Sequence, residues 1–264
     1  MKPLLEVNNL SISLKKQGIP IVEGVSFQLK KGQILGMIGE SGSGKSMTCR
    51  GILGLLDTHR FSLSGTASFQ GQNLFQLTPK EMQMLRGEKI TMVMQNPMTA
   101  FDPVCKVGRQ MLETLRSHRK LSKVSAMKSI KAELERLGLA DTQRIMDSYP
   151  YELSGGMLQR IMIALALLLS PELIIADEAT TALDVRTQGA ILEEFSKIRE
   201  AGIAMIIVTH NFGVLAKLAD EVVVLKDGGI VERGDVFEIF DKPTQGYTKK
   251  LLQASNLRKE ISNA

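Results

Sequence analysis

Ile34-Leu-Gly-Met-Ile-Gly-Glu-Ser-Gly-Ser-Gly-Lys-Ser46 is the stretch whose reading decides the fold. A short apolar run ends in a glycine-rich turn that satisfies G-x-x-x-x-G-K-S from Gly39 to Ser46. Lys45 to Leu56 follows with Met47, Ile52, Leu53 and Leu56 at helical spacing. Strand, loop, helix is the context in which that motif cradles phosphate. Gly42 and Gly44 let backbone N–H groups wrap a polyphosphate, Lys45 brings a positive charge, and Ser46 offers its hydroxyl to Mg²⁺. Gly39, Glu40, Ser41 and Ser43 complete the candidate anion site. The loop alone leaves kinase, GTPase and motor activities open.

Outward from this centre, Leu4 to Leu35 alternates with period two and is broken by Gly18-Ile-Pro20 and Lys31-Gly32, which predicts antiparallel strands at a sheet edge. Lys106 to Leu139 becomes charged and helical in period, and Tyr149-Pro150 introduces a further helix, so a helical lobe over about residues 106–165 is expected within one domain spanning 1–264. Leu173-Ile-Ile-Ala-Asp177 and Ala204-Met-Ile-Ile-Val-Thr209, separated by a helical Thr187 to Glu200, give the alternation of a parallel sheet. Val222-Val-Val-Leu225 and Asp227-Gly-Gly predict a closing hairpin. The fold class read from this pattern is α/β, a phosphate-loop NTPase core with an antiparallel N-terminal β subdomain and an inserted helical lobe.

Composition excludes several classes. Of 264 residues, 44% are hydrophobic and 23% charged, in the globular range. The longest apolar run, Ile161 to Leu169, is about half of the roughly 20 residues that cross a bilayer, and no apolar leader opens the chain, so neither a span nor secretion is expected. Cys49 and Cys105 are the only cysteines, which argues against a disulfide framework or a cysteine-rich metal site. The net charge is +5, and the basic stretch Arg116 to Lys131 lacks interleaved aromatics, so it reads as a solvated helix face and no nucleic-acid partner is expected.

Two adjacent carboxylates follow the apolar run that ends at Ala176. Asp177 suits Mg²⁺, directly or through water, and Glu178 is placed to orient or deprotonate an attacking water. His210, after a second apolar strand, is a candidate for sensing the γ-phosphate, and Gln95, after Ile90-Thr-Met-Val-Met94, for contacting both the metal and that water.

Leu153-Ser-Gly-Gly-Met-Leu-Gln-Arg160, ahead of Asp177 and before an apolar helix, resembles the signature of ATP-binding cassette ATPases. Ser154 can cap that helix, and Gly155 and Gly156 allow close backbone approach of a phosphate. The resemblance runs in unbroken order through the phosphate loop, Gln95, the signature, the acidic strand, Ala182-Leu-Asp184 and His210. It implies ATP and Mg²⁺ as cofactors, with Ser46, Gln95 and Asp177 toward the metal and Glu178, Gln95 and His210 in catalysis. It also implies a head-to-tail dimer in which Ser154, Gly155, Gly156, Gln159 and Asp184 complete the partner's site.

Within the family, the chain looks most like the dipeptide, oligopeptide and nickel importer branch, through Met94-Gln-Asn-Pro-Met-Thr-Ala-Phe-Asp-Pro103, Tyr149 to Arg160 and Tyr247-Thr-Lys-Lys-Leu-Leu252. That resemblance implies two transmembrane permease subunits, a paralogous second ATPase, an extracytoplasmic binding protein acting indirectly, and a place on the cytoplasmic face of the cell membrane. The Gly-Met-Leu-Gln-Arg form and an end at Ala264 with no cysteine cluster lean toward nickel or a metal chelate; peptides are the alternative cargo, and a soluble cassette ATPase of DNA repair or translation the alternative class. Three positions depart from the family pattern: Leu14 for an aromatic residue that stacks on adenine, Ala179 for a proline and Asn211 for an aspartate. Ile21 and Val22 are nearby apolar candidates for the adenine face.

Overall fold

The computed structural model describes residues 2–179 and 185–255. They form two compact units, one from the chain up to Met82 together with the chain from Ser196 onward, the other from Gln83–Phe195.

The first unit opens with the expected antiparallel strands. β1 (Leu5–Leu14) pairs with β2 (Pro20–Leu29), Leu5 facing Leu29 and Ser13 facing Pro20. On its other side β1 pairs with β4 (Phe61–Phe69), to which the short β5 (Gln72–Asn73) is added. In the chain, β2 and β4 are separated by β3 (Ile34–Ile38), buried at every position and part of the other sheet, and α1 (Lys45–Ile52). The helix ends four residues earlier than its apolar spacing predicts, because Leu53 caps it and Gly54 turns the chain at φ 59.

α2 (Pro79–Glu88) leads out of this unit and is interrupted at Arg86 and Gly87. Its start is a reciprocal cap: the Thr78 N–H and hydroxyl donate to Glu81, and the Glu81 N–H donates back to Thr78 Oγ1. The second unit then sets β6 (Ile90–Val93) beside β7 (Leu173–Asp177) in parallel, Ile90 opposite Leu173 and Val93 opposite Ala176. Between them run α3 (Val107–His118), α4 (Lys123–Arg136), α5 (Thr142–Asp147) and α6 (Gly155–Leu168), the helical segment the sequence predicts; α7 (Val185–Glu200) follows β7.

The apolar faces of these helices meet through Met111 and Leu115, Ile130 and Leu134, and Leu158 and Ile161, all buried. Arg116, Arg119, Lys120 and Lys123 stay on the exposed side, as the solvated-face reading of the basic stretch requires. The first turn of α3 fits closely against α5: a Cβ added at Gly108 would lie 2.6 Å from Met146 Cβ and 2.7 Å from its carbonyl oxygen.

On returning to the first unit the chain forms β8 (Ala204–Val208), α8 (Phe212–Leu218), β9 (Glu221–Lys226) and β10 (Gly229–Asp235), then α9 (Val236–Asp241) and α10 (Gly246–Ala254). β3 lies between β8 and β9, parallel to both, and β9 and β10 form the predicted hairpin, with Gly229 opposite Lys226. Full burial of β3, β7 and β8 explains their continuous apolar sequences, since a parallel strand covered on both faces has no polar side to alternate with.

Gly108→Ala should lower the midpoint of denaturant unfolding by the equivalent of about 1–3 kcal/mol, the range for overpacking a filled site. Gly189→Ala, in α7 where an added Cβ meets nothing within 4 Å, should raise stability by up to about 1 kcal/mol through helix propensity. Urea titration of the two variants beside the native chain reads both signs.

Candidate nucleotide-binding site

In the first unit the phosphate loop is built by the end of β3 and the start of α1. Gly44, at φ 97, precedes the helix and brings no side-chain oxygen to its first turn, and backbone N–H groups at a helix start are suited to an anion. Lys45 is only 5% exposed. Its ammonium donates to the Gly39 and Glu40 carbonyls, each at 2.8 Å, and to Ser43 Oγ at 3.3 Å. The charge is therefore carried at the centre of the loop. Gly39 lies against the end of β9, where a Cβ would come 2.2 Å from the Leu225 carbonyl oxygen, so no larger residue fits.

The same unit brings His210 to this edge. β8 pairs with β3 in register Met37 to Val208, and the Thr209 N–H donates to the Met37 carbonyl at 3.1 Å, which carries the exposed His210 out at the end of the strand next to the loop's own. Asn211 caps α8 by accepting the Gly213 N–H at 2.9 Å, a function an aspartate would serve equally well, so the substitution leaves local geometry intact. Of the adenine candidates, Val22 is fully buried, and Ile21 is half-buried with its carbonyl 3.0 Å from a Cβ added at Gly44. Leu14 stands opposite Phe61 of β4.

In the second unit, the parallel register of β6 and β7 puts Gln95 and the Asp177-Glu178 pair just past corresponding strand ends, the edge at which open α/β sheets bind ligands. Gln95 Nε2 donates to Glu178 Oε2 at 2.7 Å. Asp177 is 1% exposed. Glu178 has φ 49, a left-handed backbone uncommon for a residue with a side chain.

The signature segment forms the start of α6. Ser154 Oγ accepts the Met157 N–H at 3.2 Å, as the sequence predicts, and Gly155 is open, with nothing within 4 Å of an added Cβ. Gln159 is 1% exposed and its Nε2 reaches toward the Met94 carbonyl at 3.5 Å, so its side chain is turned into the helical unit. Asp184, with Ala182 and Leu183, lies outside the described residues. One contact at the loop escapes the sequence: the Glu40 N–H donates to the Tyr247 hydroxyl at 3.1 Å, across a separation no local pattern signals.

A phosphate loop after a buried parallel strand, and an acidic strand end bonded to a glutamine, define a nucleoside triphosphate hydrolase. The ABC transporter family matches residues 22–181, and the chain belongs to that family. It is 46% identical over 94% of its length, and 92% of the relative's, to the ATP-binding protein CntD of the metal-staphylopine import system of Staphylococcus aureus. It is 43% identical over 96% of its length, and 76% of the relative's, to the dipeptide transport ATP-binding protein DppD of Bacillus subtilis. A dimeric post-hydrolysis structure of an ATP-binding cassette with ADP and Pi superposes with a TM-score of 0.79 at 27% identity, covering 88% of this chain and 98% of the other. The chain is an ATP-hydrolysing subunit of an importer. Among the described residues no helix is long and apolar enough to cross a membrane.

Ser154→Ala should cost about 1 kcal/mol by removing the α6 cap, and Ser154→Asp should restore it. Thermal melts of the three proteins compare the caps directly.

Proposed function

We propose that this subunit binds MgATP in the Gly39–Ser46 loop, hydrolyses it with Glu178 as base, and powers uptake of a metal–chelate complex. The loop amides and Lys45 hold the β- and γ-phosphates. The Ser46 hydroxyl, the Asp177 carboxylate and the Gln95 carboxamide are the hard oxygen donors Mg²⁺ takes. When bound, the ion neutralises charge on the phosphates. Glu178 accepts a proton from water as the water oxygen bonds to the γ-phosphorus and the bond to the bridging oxygen breaks. Gln95, already bonded to Glu178, fixes the orientation of that carboxylate, and His210 contacts the γ-phosphate.

Ser154, Gly155 and Gly156 present the α6 N-terminus to a nucleotide held by a second subunit, a paralogue in the assembled transporter. Asp184 belongs to the same interface by resemblance. Two permease subunits in the cell membrane receive the motion of the helical unit, and a binding protein on the far side supplies the cargo. ATP-bound and hydrolysed states favour different permease orientations.

The observations that support a metal–chelate cargo are the 46% identity to the metal-staphylopine protein and the Gly156-Met-Leu-Gln-Arg160 form of the signature. The similar identities, 46% and 43%, keep short peptides as the second reading.

Glu178→Gln should reduce turnover about 100- to 10,000-fold while ATP binding persists; single-turnover hydrolysis beside nucleotide titration separates the two, and intact turnover would refute the base assignment. Lys45→Ala should weaken ATP binding about tenfold or more, the loss of charge-assisted hydrogen bonds. With native permeases and binding protein in proteoliposomes, ATP-dependent uptake of nickel or cobalt with a chelator is expected to exceed uptake of di- and tripeptides. Peptide uptake alone would overturn the cargo and leave the ATPase assignment standing.

A further inference from the structure

The Tyr247-Thr-Lys-Lys-Leu-Leu252 segment has no part in the chemistry above, yet its first residue touches the phosphate loop. The Glu40 N–H that donates to Tyr247 Oη, at 3.1 Å, belongs to the same peptide group as the Gly39 carbonyl, which accepts from the Lys45 ammonium at 2.8 Å. A peptide group is a rigid plane. The tyrosine hydroxyl and the lysine ammonium therefore grip opposite edges of one plate, and tilting that plate moves the carbonyl that holds the lysine.

The grip is itself held in place. Lys226, the last residue of β9, sets its ammonium 5.4 Å from the centre of the Tyr247 ring, within cation–π range. The turn that launches α10 is tied to β10: Glu232 accepts the Thr244 N–H at 2.6 Å, the Thr244 hydroxyl at 2.8 Å and the Gln245 N–H at 3.3 Å. The Glu232 carboxyl is half-buried, which pushes its pKa up, but the donors of the Thr244–Gln245 turn outweigh this and hold it below the ordinary value. The strut stays ionised at neutral pH. Leu225, next to Lys226, closes against Gly39 from the same strand end.

We propose that Tyr247 is a positioning residue for the phosphate loop, fixing the Gly39–Glu40 peptide so that Lys45 is oriented for ATP, and that α10 thereby sets nucleotide affinity. This rests on the reading of residues 39–46 as the ATP site. Tyr247 touches no reacting atom; it acts through the loop, with the β9–β10 hairpin as its base.

The test uses the purified full-length chain with Tyr247→Phe, which removes the hydroxyl and keeps the ring under Lys226. Amide hydrogen exchange at Glu40 in nucleotide-free protein is expected to quicken about two- to tenfold, and the Kd for ATP to rise by a similar factor, the scale of one hydrogen bond. The melting temperature is expected to stay within about 2 °C. Glu232→Gln, which weakens the strut without touching the loop, should raise the Kd in the same direction by less. Unchanged exchange at Glu40, or an unchanged Kd in Tyr247→Phe, overturns the proposal. So does a Kd increase that Leu251→Ala reproduces in full, because general loosening of α10 would then account for it. Lys45→Ala is measured alongside: if it leaves ATP affinity intact, the ATP-site reading fails, whereas exchange at Glu40 still reports on Tyr247.

Discussion

A lysine ammonium enclosed by its own loop is the constraint from which the nucleotide-binding unit follows. Lys45 is buried, and a buried cation is tolerable only when its donors are met. The carbonyls of Gly39 and Glu40 meet them, which requires the chain to leave β3 in a tight turn and enter α1 through a residue that accepts φ 97. Gly39 can lie flat against Leu225 only without a Cβ, so the loop and β9 determine each other's place. The proposed binding of a triphosphate here exchanges one set of oxygen acceptors for another. Affinity is then a difference between two comparable interactions, and the loop carbonyls have as much say in it as the lysine.

Much of this was legible in the sequence because the signals are local. β3, the loop and α1 announce themselves within the 23 residues from Ile34 to Leu56, and β7, β8 and the β9–β10 hairpin by apolar runs ending at an acid, a histidine or a glycine turn. Ser154 was legible as a cap because capping depends on residues within one turn. What escaped depends on distance or on direction. The end of α1 was misplaced because Leu53 and Leu56 keep helical spacing while Gly54 has already turned the chain. The burial of Gln159 is not legible because α6 is apolar nearly all round, and such a helix does not reveal from its period which polar residue is turned inward. Tyr247 and Glu40 lie at opposite ends of the chain, and no spacing rule connects them.

The two units divide the chemistry by type. Residues proposed to hold an anion, Gly39 to Ser46, belong to the first with His210; residues proposed to activate water, Gln95 and Glu178, belong to the second with the α6 cap. The first relies on backbone N–H groups and one buried cation, which tolerate few substitutions; the second relies on side chains at strand ends, which a single replacement can silence. Cargo is written in neither, because a motor's sequence records the work of hydrolysis and not the shape of what its permease carries.

The left-handed backbone at Glu178 carries its own consequence for how such a subunit ages. Glycine and asparagine are the residues most at ease in that conformation. Neither can take a proton from water. Under the proposed role of Glu178, mutational drift at this site therefore runs downhill toward residues that relax the main chain and extinguish hydrolysis together, leaving a chain that folds but no longer turns over. Inactive partners in paired motors would arise by this route without passing through an unstable intermediate.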